Sequence, residues 1–339
     1  MRKVLVTGAT GHVGNVLIKL LKSEGYDVYG LVMPFERIDY IKNDCTLLYG
    51  NILDLEGLKY NFKGMDYIIH TAGIIDIGSG NKKNIFNVNV NGTLNVLEAS
   101  LFNQIKRVVY TSSVHALPEL KDNALMGEIT EFDPKLVRGN YAKSKALATK
   151  KALAYAKEHD LDLVVTLLSG VIGSYDYKNS YMGEVIRSYL NNRLPVYIKG
   201  GYNYVDVKDV AKGIMLALEK GKTLESYLLS GHFITVKEYL DIVAKITHKK
   251  PLKRAINYHF MLVVSKFAEL FYIISRRKML FSTYSIKVLR SNANFSNKKA
   301  INNLGWEIRP IEETIKDIVD FTFKEDKTIK IKLKKLKKA

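Results

Sequence analysis

Short apolar runs rich in β-branched residues alternate with amphipathic stretches through the first half of the chain. Lys3–Thr7 is the first such run and predicts a buried strand. Val13, Val16, Leu17, Leu20 and Leu21 then recur at helical spacing until Gly25, a natural helix stop. Further runs at Asp27–Met33, Thr46–Tyr49, Asp66–Thr71, Arg107–Ser112 and Asp162–Leu168 predict five more strands. Helices are predicted over Asn89–Ser100 and from Tyr141 through Tyr155. Strands that alternate with helices imply crossover connections. The expected fold class is therefore α/β, a doubly wound parallel sheet covered on both faces.

Beyond Gly173 the pattern loosens. Helices are predicted near Glu184–Leu190, Val207–Glu219, Thr235–Ile246 and Phe260–Ile274, with a loop at Gly200 and Gly201. These pieces are expected to build a smaller lobe over the carboxyl ends of the strands, where open α/β sheets bind ligands. The predicted organisation is a nucleotide-binding domain over 1–173, to which 207–232 returns, and a substrate lobe from 174–206 and 233–322. A basic tail follows over 323–339. Phe260, Val263, Val264, Phe267, Leu270, Phe271 and Ile274 form an apolar stripe at helical spacing, followed by Arg276, Arg277 and Lys278. Such a stripe most often faces a core or walls a pocket. With the basic tail beside it, weak peripheral contact with anionic lipid is the alternative.

Composition narrows the class of protein. The 339 residues carry a formal net charge of +18, part of it in the stretch from Lys324 to Ala339, where eight lysines stand against Glu325 and Asp326. The remaining charge is thinly spread and no nucleic-acid motif accompanies it, so a solvated lysine surface is expected rather than a nucleic-acid partner. Cys45 is the single cysteine, which excludes an intrachain disulfide. The seven histidines are scattered without ligand spacing, so no metal site is expected. Residue 1 runs straight into a strand, which argues against a signal peptide. Phe260–Ile274 is broken by Lys266 and Glu269 and is too short for a membrane span. A soluble, cytoplasmic protein is the expectation.

The chemistry lies in two places. Gly8, Gly11 and Gly14 stand between the first strand and the first helix. The first glycine permits a tight turn, the second lets backbone approach a pyrophosphate, and the third lets helix pack on strand. Phosphates would sit at the helix N-terminus, where free N–H groups favour negative charge. Far downstream, Tyr141 and Lys145 lie four apart and share one helix face. A phenol with a pKa near ~10 is mostly protonated at neutral pH, and a neighbouring ammonium favours its phenolate. Such a phenol can give a proton to a carbonyl oxygen or take one back. A hydroxyl from the run Thr111, Ser112, Ser113 can hold the reacting oxygen near it. Ser113 is the leading candidate, with Ser112 and Thr111 as alternatives.

A glycine loop, then serine, then Tyr-x-x-x-Lys, resembles the extended branch of the short-chain dehydrogenase/reductase superfamily. The resemblance continues through Gly50–Asp54, with Asn51 replacing the family's Asp, and through His70–Gly73, Asn89–Leu97 and Tyr204–Ala211. It implies a Rossmann sheet and a nicotinamide cofactor. It assigns catalysis to Ser113, Tyr141 and Lys145. Cofactor contacts fall to Gly8, Thr10, Gly11, His12, Val13, Gly14, Asn51, Ile52, Thr71, Ala72, Gly73, Asn89, Thr111, Ser112, Tyr141 and Lys145. In such enzymes an acid at the end of the second strand favours NAD and an arginine favours NADP; here those positions hold Val32 and Met33. Arg37 could reach a 2′-phosphate and no acid is expected where it would repel one, favouring NADP(H) over NAD(H). Family members often pair as homodimers through helices equivalent to those carrying Asn89–Ser100 and Tyr141–Tyr155.

Sugar-nucleotide enzymes of this branch generally place an arginine just before the late motif, where this chain has Tyr202. The segment Leu168–Gly173 is closer to dihydroflavonol reductases and 3β-hydroxysteroid dehydrogenases. Tyr175, Tyr177, Tyr181, Tyr202 and Tyr204 fall in loops expected to wall the substrate pocket, which suits an apolar or aromatic carbonyl compound. The expected function is an NAD(P)H-dependent oxidoreductase that interconverts a ketone and a secondary alcohol on a hydrophobic small molecule. A sugar-nucleotide epimerase or dehydratase, and a non-catalytic dinucleotide sensor, are the alternatives.

Overall fold

The structure is a computed structural model and describes residues 1–75, 81–121, 123–178, 180–275 and 283–326, the side chains of 268–275 excepted. The strands are β1 Lys3–Thr7, β2 Asp27–Val32, β3 Thr46–Tyr49, β4 Tyr67–His70, β5 Arg107–Ser113 and β6 Leu163–Leu168, then β7 Gly170–Ile172, β8 Tyr197–Ile198, β9 Gly201–Asp206, β10 Ser226–Leu229, β11 His232–Thr235 and β12 Ala255–Ile256. The helices are α1 His12–Ser23, α2 Leu55–Asn61, α3 Lys82–Phe86, α4 Gly92–Phe102, α5 Asn140–Glu158 and α6 Tyr181–Leu190. They continue with α7 Val207–Lys220, α8 Val236–Thr247, α9 Tyr258–Ser275, α10 Thr283–Val288, α11 Lys298–Leu304 and α12 Ile311–Glu325.

Seven strands form one parallel sheet in the order β10-β6-β5-β4-β1-β2-β3. Alternation along β1 explains why both faces are covered. Val4 and Val6 point into a core shared with α1 and α7, while Leu5 points into the opposite core with α4 and α5. Ala142, Ala146, Ala152 and Ala156 of α5 are all buried, and small side chains let that helix lie close to the sheet. The chain order reverses between β1 and β4, so the crevice at their carboxyl ends is the switch point where doubly wound sheets bind ligands.

One strand of this sheet, β10, escapes the sequence pattern. Ser226–Leu229 is four residues long and wholly buried, and a run that short has no readable period. Its partner is β6, so the chain from 207 onward rejoins the main sheet. β2 also stops at Val32, one residue before the expected end at Met33.

Past β6 the chain leaves the sheet within two residues and enters a smaller one, in the order β11-β9-β7. A third core joins α6, α8 and α12 to Tyr202 and Tyr204 of β9. Asp206 closes β9 and caps α7 by accepting from the Lys208 N–H at 2.7 Å. Its carboxylate also meets Arg309 at 3.3 Å, and Arg309 in turn reaches Asp317 on α12 at 2.7 Å. The late motif identified in the sequence is thus an N-cap tied to the last helix. α12 itself runs to Glu325, past the expected start of the tail at 323.

The described part of the α9 apolar stripe does not face a core. Phe260, Val263, Val264 and Phe267, which share one helix face, are 59%, 55%, 37% and 72% exposed. The side chains of Leu270, Phe271 and Ile274, the basic residues Arg276, Arg277 and Lys278, and the tail from Lys327 to Ala339 lie outside the described residues. Among the described residues no helix is long and apolar enough to cross a membrane.

Candidate functional site

The β1–α1 turn sets the geometry of the crevice. Gly8 has φ +70°, and a Cβ there would stand 2.7 Å from the Ala72 nitrogen. At Gly14 a Cβ would stand 2.3 Å from the Gly8 oxygen, so only glycine lets α1 pack onto its own turn. Gly11 forms the N-cap of α1 and has no side chain with which to cap the first N–H groups. The helix N-terminus, with His12 and Val13 in its first turn, therefore keeps N–H donors for an anion, which fits a dinucleotide pyrophosphate.

A second layer fixes the loop after β4. Thr71 Oγ1 donates to the Thr7 carbonyl at 2.7 Å. The Ala72 N–H donates to Thr7 Oγ1 at 3.3 Å, and that hydroxyl lies 2.8 Å from His70 Nδ1. On the other side of the ring, Nε2 lies 3.0 Å from Thr93 Oγ1, whose proton goes to the Asn89 carbonyl. His70 therefore accepts at Nδ1 and donates at Nε2, and burial pushes its pKa down to about 3. Asn89 completes the brace. Its side chain grips Ile74 at both backbone atoms and donates to Ser144 Oγ at 3.0 Å, which holds Gly73 beside α5.

Strand alternation separates the three hydroxyls at the end of β5. Ser112 turns away and pairs with Thr149 at 2.6 Å, and Thr111 donates to the His70 carbonyl at 3.0 Å. Ser113 lies close enough to the Tyr141 phenol to lower its pKa, and its Oγ accepts from the His115 N–H at 3.2 Å. Lys145 is 6% exposed and its Nζ donates to the Thr111 carbonyl at 2.9 Å and to Tyr110 Oη at 3.4 Å. Burial raises the Tyr141 pKa, opposed by the Lys145 charge and the nearby Ser113 hydroxyl. Burial likewise lowers that of Lys145, opposed by Tyr141. The phenol is thus a neutral proton donor at rest, with a cation placed to stabilise the phenolate once the proton leaves.

The remaining predicted residues sit along the same crevice. Asn51 turns inward to accept from the Leu53 N–H at 3.0 Å, and Ile52 packs against Gly92 of α4. Thr10 is buried, with its carbonyl accepting from Tyr40 Oη at 2.8 Å. Arg37 is exposed and forks onto Asp39, at 2.6 and 2.8 Å.

Several features were not legible in the sequence. Contrary to expectation, an acid does stand at the end of β2. Glu36 accepts from the Met33 N–H at 3.1 Å and from Lys178 Nζ at 2.8 Å, and that ammonium also reaches Thr10 Oγ1 at 2.9 Å. The ion pair and hydrogen bonds lower the Glu36 pKa against the effect of burial, so it stays charged. Tyr175 and Tyr177 do not wall the substrate side either. Tyr177 stacks on Tyr40 with ring centroids 4.1 Å apart, and both tyrosines pack on Phe321. Tyr181, Tyr202 and Tyr204 line a cavity of about 200 Å3 with an apolar wall from Val171, Val185 and Leu194. A larger cavity, about 880 Å3, adjoins it beside Val114, Gly139 and Ala142, with Lys121, Arg138, Lys287 and Arg290 among its lining residues. His115, Tyr202 and Tyr284 belong to both. Only Tyr202 of these three was expected; His115 could have been suspected from its place two residues beyond Ser113.

A parallel dinucleotide sheet with serine, tyrosine and lysine converging at its carboxyl edge marks the extended short-chain dehydrogenase/reductases. The chain belongs to the NAD-dependent epimerase/dehydratase family, whose profile matches residues 4–230. A Synechocystis sp. protein provisionally named dihydroflavonol 4-reductase is 29% identical over 93% of this chain and 92% of its own. Cinnamoyl-CoA reductase 2 of Medicago truncatula is 30% identical over 74% of this chain and 78% of its own. Among solved structures, gox2253 superposes with a TM-score of 0.83 at 28% identity, covering 96% of this chain and 99% of that one. The protein is an NAD(P)-dependent oxidoreductase.

The two buried imidazoles predict an acid-sensitive fold. His70 and His115 are held neutral, with pKa values near 3 and 4 against an ordinary 6.5. Below pH 6.5 the unfolded chain takes up protons that the folded chain refuses. Stability is therefore complete above about pH 6.5 and declines toward pH 4, each histidine adding up to about 1.4 kcal/mol per pH unit. Urea denaturation across pH 4–8 should show this slope, and His70→Asn should reduce it while lowering the whole curve. Equal acid slopes in the two proteins would remove His70 as a cause.

Proposed function

We propose that the protein is an NADP(H)-dependent carbonyl reductase acting on a hydrophobic ketone and its secondary alcohol. The observation that carries this reading is the buried Tyr141 phenol, backed by Lys145 with Ser113 nearby, beside an apolar cavity with Tyr202 where a substrate-binding arginine would be expected. When bound, the dinucleotide supplies or accepts the hydride. Ser113 holds the carbonyl oxygen, Tyr141 Oη gives it a proton, and the Lys145 ammonium stabilises the charge left on the phenol. In the reverse direction Tyr141 takes the proton from the alcohol. The brace from Asn89 to Ser144 keeps the first turn of α5, and hence the phenol, in position.

The likeness to reductases supports this reading. The cationic lining of the larger cavity favours a second one, a redox-neutral epimerase or dehydratase whose substrate carries a diphosphate. Added NADPH separates the two. Net oxidation with ketones such as flavanones or steroids supports the reductase, and conversion of a nucleotide sugar without net oxidation supports the epimerase or dehydratase. In either case Tyr141→Phe should leave cofactor affinity near wild type and lower turnover by ~10²-fold or more. Lys145→Met should weaken both cofactor binding and turnover. Near-normal turnover of Tyr141→Phe would reject the assignment.

Preference for the phosphorylated cofactor rests on Arg37 and Lys178. Their partners Asp39 and Glu36 balance them in charge, but the Arg37–Asp39 pair is exposed and worth little, so a 2′-phosphate can displace it. Arg37→Ala should weaken NADPH binding by ~10-fold, about 1.4 kcal/mol, and leave NADH unchanged. Equal effects in calorimetric titrations of both cofactors would return Arg37 to the ordinary surface.

The exposed face of α9 supports peripheral contact with an anionic membrane, an apolar ridge with Lys266 beside it. Each lysine near such a surface contributes about 1 kcal/mol, within a Debye length. The protein should sediment with phosphatidylserine vesicles at low salt, and Phe260→Ser with Phe267→Ser should abolish this. A protein that stays in the supernatant does not use α9 in this way.

A further inference from the structure

Beside the proton donor lies a hydrogen-bonded group that the chemistry at Tyr141 does not use. His115 leaves β5 two residues after Ser113 and its ring packs edge-on to Tyr141, with centroids 5.9 Å apart. Tyr202, from β9, brings its Oη to 3.3 Å from His115 Nε2. Tyr284, from α10, brings its Oη to 3.2 Å from His115 Nδ1. The approach of Tyr284 is built into the backbone. A Cβ at Gly139, which has φ +93° and precedes α5, would stand 2.7 Å from the Tyr284 ring. Three separate parts of the chain therefore meet on the wall shared by the two cavities.

The protonation of this group follows from its surroundings. Burial pushes the His115 pKa down to about 4, so the ring is neutral and carries one N–H. One phenol must accept from that N–H, which leaves its own O–H unspent. The other phenol must donate to the bare nitrogen, which leaves only its oxygen lone pairs. Among the described residues His115 is the sole hydrogen-bond partner of either phenol. One donor and one acceptor thus remain, on opposite sides of the imidazole, and a change of tautomer exchanges them. Both phenols have pKa values raised by burial, so neither ionises at neutral pH.

We propose that His115, Tyr202 and Tyr284 form a recognition site for a second oxygen on the substrate, so that the preferred ketone carries a hydroxyl or carbonyl on one of the two carbons beyond the reacting carbonyl. A hydroxyl gives and takes one hydrogen bond and satisfies either phenol; a second carbonyl meets the phenol that keeps its proton. A plain ketone leaves the donor and acceptor facing an apolar neighbour, and unpaired polar groups in a dry site discriminate strongly. Tautomer exchange lets one wall accept either oxygen type. The proposal rests on Tyr141 as the proton donor, because that places the reacting carbonyl beside His115.

Matched probes test it. Acetophenone, its α-hydroxy derivative and the β-hydroxyketone 3-hydroxy-1-phenylpropan-1-one differ only by an added hydroxyl, with one extra methylene in the last. Wild-type kcat/KM with NADPH should be ~10-fold or more higher for at least one oxygenated probe. His115→Phe should abolish that preference, raising KM for the oxygenated probes by ~10-fold more than for acetophenone. His115→Gln, which keeps a donor and an acceptor, should restore part of it. Calorimetric affinity for 1-phenylethane-1,2-diol and 1-phenylpropane-1,3-diol against 1-phenylethanol provides a readout independent of turnover. If no ketone oxidises NADPH but one of the diols still binds more tightly, and His115→Phe removes the difference, the reductase reading fails and the recognition site stands. Equal losses for plain and oxygenated probes in His115→Phe, or no wild-type preference in either measurement, would overturn the proposal.

Discussion

A buried ammonium with no carboxylate partner among the described residues governs the crevice. Lys145 has left water, yet among the described residues its Nζ finds only the Thr111 carbonyl, the Tyr110 hydroxyl and the face of the Tyr110 ring, 5.0 Å from the centroid. Burying a cation on dipoles alone is costly. It is tolerable only where those dipoles are rigid, which explains the dense bonding around it. Thr111 is held to the β4 carbonyl end, and His70 is locked between Thr7 and Thr93. Asn89 joins that layer to α5. The cost is also the source of chemical use. A cation held only by dipoles at rest gains most when negative charge appears on the neighbouring phenol.

This arrangement also explains which parts of the protein could be read from sequence. The glycine turn and the Tyr141–Lys145 pair depend on spacing within one turn or one helix, and their geometry follows from local backbone rules. The six strands with readable runs follow in the same way from burial on both sheet faces. β10 was lost because four buried residues carry no period. Glu36 was overlooked because its carboxylate folds back three residues onto the Met33 nitrogen, and a strand-end rule examines only the strand end.

Other misses are nonlocal. Lys178 meets Glu36 across 142 residues, and Tyr284 meets His115 across 169. The tyrosines after Gly173 show the limit most clearly. All five were assigned to one pocket from their type and loop position. The structure divides them, sending Tyr175 and Tyr177 to the far side of the glycine turn and the other three to the cavity. Aromatic residues specify burial well, but which neighbour they meet is decided by the lobe's path over the sheet.

That division gives the crevice two ends with different mechanical character. The segment 174–178 is stitched down across the glycine turn. His12 Nε2 lies 2.9 Å from the Ser174 carbonyl, Asn15 donates to the Tyr175 carbonyl at 3.2 Å, and Lys178 spans Thr10 and Glu36. Exchange at this end competes with a series of hydrogen bonds, a stacked ring pair and an ion pair. The opposite end opens directly onto the larger cavity. A small molecule can thus reach the cavity without breaking any of the bonds that hold segment 174–178 across the glycine turn.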